Sequence, residues 1–116
     1  IRIYHEKLLR DHKKFGLIKY SSSSSPHLAV LRVNSLHTRN QLRHHLSSMK
    51  IQTSVHYAVP CHSQPFIDAK SIILKNEVSG QAQSIADTIL SLPLSEVHTQ
   101  DEVEYVCDAI NSFFGN

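Results

Sequence analysis

At 116 residues the chain is long enough for one compact domain with a modest core. An apolar fraction of 41% with 19% charged residues excludes a disordered or fibrous polymer. Twelve Lys and Arg against ten Asp and Glu leave a formal charge of +2, without the clustered basic face of a nucleic-acid binder, so no nucleic-acid partner is expected.

Residues 1–15 (IRIYHEKLLRDHKKF) place Ile1, Tyr4, Leu8 and Leu9 on one helical face, with charges elsewhere and Gly16 as the stop. The chain opens inside this pattern, on Ile1 and without a preceding cap, which reads as a piece cut from something longer. On that reading Ile1, Tyr4 and Leu8 form an apolar face left uncovered. Residues 21–25 are five serines followed by Pro26, an exposed low-complexity loop. Residues 27–33 (HLAVLRV) suit a buried strand.

Thr38 and Gln41 have capping-box spacing, and Leu42, Leu46 and Met49 follow at helical intervals, which predicts an amphipathic helix over 39–49. Residues 51–57 (IQTSVHY) alternate like a second strand, with Ile51, Thr53, Val55 and Tyr57 on one face and Gln52, Ser54 and His56 on the other. The stretch 58–80 carries Pro60 and Pro65, has no clear period before Ile72, and reads as an irregular loop with room for one short helix. Ala82, Ile85, Ala86 and Ile89 mark a helix that Pro93 stops near Ser91, before a short strand over 92–94. Thr99 and Glu102 form a second capping box ahead of Val103, Val106, Cys107, Ile110, Phe113 and Phe114, the clearest helix of the chain. The expected architecture is α/β (α+β): a small three-stranded antiparallel sheet packed by about four helices.

Nine scattered histidines come with no CxxC or HExxH, so no metal site is expected. Two cysteines, Cys61 and Cys107, give no disulfide framework and fit a reducing, cytoplasmic compartment. No apolar run approaches the roughly 20 residues needed to cross a bilayer, and no stretch reads as a signal peptide, so no membrane partner is expected.

Two blocks carry more than fold. One is IQTSVHYAVPCHSQP (51–65); the other is ILSLPL (89–94) with the capped helix TQDEVEYVCDAINSFF behind it. With Arg39 just inside its helix, their order and spacing resemble the C-terminal small domain of the DegT-type sugar aminotransferases, fold type I enzymes that use pyridoxal phosphate. Three positions depart from the pattern: Ala58 replaces a proline, Gln83 a frequent glutamate, and Lys50 the glycine that ends the preceding helix in a left-handed turn.

The resemblance implies that residues 1–116 are one small domain and that a large cofactor-binding domain precedes residue 1. It implies a parent transaminase, homodimeric, moving an amino group from an amino acid such as glutamate to a nucleotide-linked keto-hexose, in cell-surface polysaccharide or related sugar biosynthesis. The Schiff-base lysine, the pyridoxal phosphate and all cofactor-binding residues then lie in the large domain, and this chain alone is expected to be inactive. Ser71 to Lys75 (SIILK) mimics the lysine motif but follows the HY block instead of preceding the small domain, so Lys75 reads as a loop lysine. The small domain's share is substrate-facing: His56, Tyr57 and His62 are the candidate contacts to sugar hydroxyls, ring faces or diphosphate oxygens. Against this, Tyr57 on the strand's apolar face fits a core tyrosine and His56 a surface histidine. The alternative function is a free-standing, non-catalytic sugar-nucleotide-binding or interaction module.

Overall fold

The computed structural model describes residues 1–8, 13–21, 23–64 and 76–115. Along the chain run α1 (Arg2–Leu8), β1 (Phe15–Leu17), β2 (Ala29–Val33), α2 (Leu36–Ser48), a 3₁₀ turn (Cys61–Ser63), α3 (Asn76–Thr88), β3 (Ile89–Leu92) and α4 (Gln100–Phe113). The three strands form an antiparallel sheet in the order β1-β2-β3, so fold class and strand count agree with the sequence reading.

The core is the inner face of this sheet under the helices. Phe15 and Leu17, Ala29, Leu31 and Val33, and Leu90 and Leu92 point inward at every second position and meet Leu42, Leu46, Val106 and Ile110. Tyr4 and Leu8 are 0% and 2% exposed, because α1 lies against α4. The apolar face expected to be left uncovered is therefore part of this core. A buried phenol needs a partner, and the Tyr4 hydroxyl donates to the Pro93 carbonyl at 2.7 Å. Lys7 and Glu104 join the same two helices at 3.3 Å.

Several boundaries differ from the sequence reading, each for a tertiary reason. Phe15 belongs to β1, not to the opening helix: pairing Phe15 with Val33 and Leu17 with Leu31 buries both side chains and stacks Phe15 on Phe114 at 4.6 Å. Leu9, also assigned to that helix, lies outside the described residues. Helix α2 starts a turn earlier than expected, because extended Ser35 accepts the Thr38 N–H at 3.1 Å; the Thr38–Gln41 box is not used. Ile89 to Ser91, read as helix, leave α3 to pair with Arg32, Leu31 and Val30, and Pro93 ends this strand instead of a helix. The Thr99–Glu102 box forms as expected, with Glu102 N–H to Thr99 Oγ1 at 3.2 Å and Thr99 N–H to Glu102 Oε2 at 2.8 Å.

Residues 51–57 are the largest departure. They touch the sheet at a single bridge, Ser54 to Ser91, and form no ladder strand. Ile51 is tied back to α2 through its N–H on the Leu46 carbonyl at 2.9 Å, and the chain turns away again at His56 and Tyr57. Only one residue pair can meet β3 between those two constraints.

Candidate functional site

The site begins at the end of α2. Lys50 N–H bonds the Ser47 carbonyl and Ile51 N–H the Leu46 carbonyl, the double closure of a Schellman motif. The residue at its hinge must be left-handed, and Lys50 takes φ 64° in the place where glycine would carry no Cβ penalty. The turn keeps its usual geometry despite the substitution, and it aims residues 51–56 along β3.

There Ser54 N–H donates to the Ser91 carbonyl at 3.2 Å and Ser91 N–H to the Ser54 carbonyl at 2.7 Å. Two residues on, His56 Nδ1 lies 2.9 Å from the Ser91 hydroxyl. The HY block and the LSLP block thus meet in space at Ser91. Tyr57 then takes φ 57° and is 88% exposed, which rules out the core position that competed with its reading as a substrate contact. A bulky residue held left-handed in solvent is uncommon, and such strain gathers at functional positions.

His62 sits in the middle of the Cys61–Ser63 turn, and its side chain lies outside the described residues. The turn is anchored on both sides of it. Ser63 Oγ donates to Gln83 Oε1 at 3.3 Å, Gln83 Nε2 to Asp87 Oδ1 at 2.9 Å, and Gln64 Nε2 to the Val59 carbonyl at 2.9 Å. Arg39 Nη1 donates to the Ala86 carbonyl at 2.8 Å, so it ties the start of α2 to the last turn of α3, where a cation suits the helix dipole.

An open groove of about 900 Å³ runs between residues 49–56, the end of β3 and the first half of α4. Leu28, Ile51, Leu92, Leu94 and Val106 give it apolar walls, while His56, His98, Asp101, Gln52 and Lys50 supply polar groups. Among the described residues, His56 lines it and Tyr57 does not. His56 and Tyr57 are neighbours in the chain, yet only His56 faces this groove. The contribution of α4 was hidden in the sequence, where Glu102 reads only as the capping-box partner of Thr99 and nothing singles out Asp101. Ser91 was equally hidden within LSLP, where nothing local marks it out.

Pyridoxal phosphate does not fit the described residues. Lys7, Lys13, Lys14, Lys19 and Lys50 are all exposed, so none stands in a closed, water-excluding cradle where an imine could be held. Lys75 lies outside the described residues. Among the described residues no group of three or more His, Cys, Asp and Glu is arranged to hold a metal, and no helix is long and apolar enough to cross a membrane.

Residues 1–111 match the DegT/DnrJ/EryC1/StrS aminotransferase family. The chain belongs to that family. A DegT-type relative, the dTDP-3-amino-3,6-dideoxy-alpha-D-galactopyranose transaminase of Aneurinibacillus thermoaerophilus, is 32% identical over 87 residues, covering 75% of this chain and 22% of its own length. Among solved structures, S. venezuelae DesV in complex with a ketimine intermediate superposes with a TM-score of 0.79 at 27% identity, over 99% of this chain and 31% of that one. The ntda protein of Bacillus subtilis with bound cofactor PMP shares the fold at a TM-score of 0.82 and 21% identity, over 99% of this chain and 27% of that one. The chain thus spans about a fifth to a third of the length of these proteins.

Proposed function

We propose that this chain is the small domain of a pyridoxal-phosphate-dependent aminotransferase that aminates a nucleotide-linked keto-hexose, with an amino acid such as glutamate as donor. The cofactor and its lysine belong to a large domain outside residues 1–116, and the intact enzyme is a homodimer. The small domain contributes the sugar-nucleotide side of the cleft through His56, Tyr57 and His62. The observation that carries this reading is His56, held by the LSLP strand beside a groove whose apolar walls and polar rim suit a sugar: C–H faces against Leu28 and Leu94, hydroxyls against imidazole. The same hydrogen bond joins the two sequence blocks that carry the family resemblance. Tyr57, exposed and left-handed on the adjacent residue, is free of the core and so compatible with a substrate role.

The test uses the intact enzyme and separates its two half-reactions. His56→Ala is expected to lower kcat/KM of the keto-sugar half-reaction about ten- to a hundredfold, as for a lost polar contact of about 1–3 kcal/mol. The amino-acid half-reaction, which uses the cofactor and the large domain, should hardly change. Equal losses in both would assign His56 to folding alone and defeat the reading.

A further inference from the structure

We propose that Ser91 is a positioning residue which donates its hydroxyl proton to His56 Nδ1, so that neutral His56 carries its remaining proton on Nε2 and acts as a hydrogen-bond donor to a ligand oxygen. This rests on the reading of His56 as a substrate contact, and it adds the direction of that contact.

The argument starts from burial. Ser91 lies on the face of β3 opposite Leu90 and Leu92, where a solvated polar residue is the ordinary choice. Yet it is only 5% exposed, where the Ser54 bridge brings residues 54–56 alongside it. A buried hydroxyl left without an acceptor costs about 1–3 kcal/mol. Among the described residues the Ser91 hydroxyl has a single partner, His56 Nδ1 at 2.9 Å. Were Nδ1 the donor, the serine proton would have no protein acceptor among the described residues and could only face the groove that Ser91 lines. The reverse arrangement satisfies both groups: Oγ–H donates and the Nδ1 lone pair accepts. A neutral imidazole has one N–H, so it must then be at Nε2. Donation from Nε2 excludes His56 as a base through that nitrogen and selects an oxygen acceptor, a sugar hydroxyl or a phosphate oxygen. The backbone bridge fixes where residue 56 passes, and the side-chain bond fixes how its ring is turned.

The experiment is nitrogen-15 NMR of the imidazoles in the 116-residue chain at about pH 8.5, where an ordinary imidazole is neutral. His56 signals are assigned by their loss in His56→Gln. The expected spectrum has a protonated Nε2 and an Nδ1 resonance displaced upfield by an accepted hydrogen bond. Ser91→Ala should move Nδ1 toward the position of a free imidazole nitrogen and release the ring to several rotamers, while amide protection at Ser54 and Ser91 persists. Ser91→Thr, which keeps a hydroxyl, should restore the shift. An Nδ1 resonance that Ser91→Ala leaves unmoved, or a proton found on Nδ1, overturns the proposal. In the intact enzyme Ser91→Ala should slow the keto-sugar half-reaction about three- to tenfold, the value of one modest hydrogen bond, with Ser91→Thr recovering it. If the NMR response is present but that half-reaction is unaffected, the Ser91–His56 pairing stands and the substrate role of His56 is what fails.

Discussion

Replacing Lys50 with glycine should make the domain more stable, although it deletes a side chain. Lys50 is the left-handed residue of the turn that closes α2, at φ 64°. An L-residue in that region is strained by about 1–2 kcal/mol relative to the right-handed one. Glycine relieves that strain but gives the unfolded chain more freedom, which offsets about 0.4–1 kcal/mol. The lysine side chain is exposed and makes no ion pair or hydrogen bond among the described residues, so little else is lost. The mid-range net gain is about 0.8 kcal/mol, equivalent to a Tm rise of about 2–5 °C in a domain of this size. Lys50→Ala is the control, because it removes the same charge and keeps the Cβ strain. Urea unfolding followed by far-ultraviolet circular dichroism should rank Gly above both Lys and Ala. If Lys50→Gly is no more stable than Lys50→Ala, the turn is not left-handed at this position and the path of residues 51–56 toward β3 is wrongly understood.

Two further outcomes are expected. Thr99→Ala should cost about 1 kcal/mol, and because the box is reciprocal, Thr99→Ala and Glu102→Ala should be non-additive in a double-mutant cycle; independent effects would mean that the two bonds are not one device. Stability should also fall in alkali: burial, reinforced by the neighbouring Asp108 charge, pushes the Cys107 thiol up to about 11 in the fold. The unfolded thiol ionises first, so the stability present below about pH 9 is lost as pH rises toward 11, up to about 3 kcal/mol for the thiol alone. Burial raises the Tyr4 phenol as well, which steepens the loss at the upper end. Denaturation midpoints that stay flat between pH 8.5 and 10.5 would show that the Cys107 thiol is not desolvated.

What could be read from the sequence was whatever closes within a few residues. The Thr99–Glu102 box spans three positions and satisfies backbone donors locally, so α4 starts where its sequence says it does. The HY and LSLP blocks could likewise be read as recurring strings, and they led to the family without any knowledge of what joins them. The tertiary structure decided the rest, wherever local preference and distant burial disagreed. Phe15–Leu17 has too few residues to show a period, and it becomes a strand because β2 offers a partner that buries Phe15 and Leu17. Ile89 keeps helical spacing with Ala82, Ile85 and Ala86, yet hydrogen bonds to β2 draw it out of α3. Tyr57 alternates with Ile51, Thr53 and Val55 as if it faced a core, and the left-handed turn puts it in solvent. The groove gathers three distant segments, and the bond that aims His56 crosses 35 positions of sequence to reach Ser91. A local pattern records which hydrogen bonds a segment can make by itself. The partner that a buried serine finds depends on which chain folds over it, and that is settled only when the sheet edge and residues 54–56 come together.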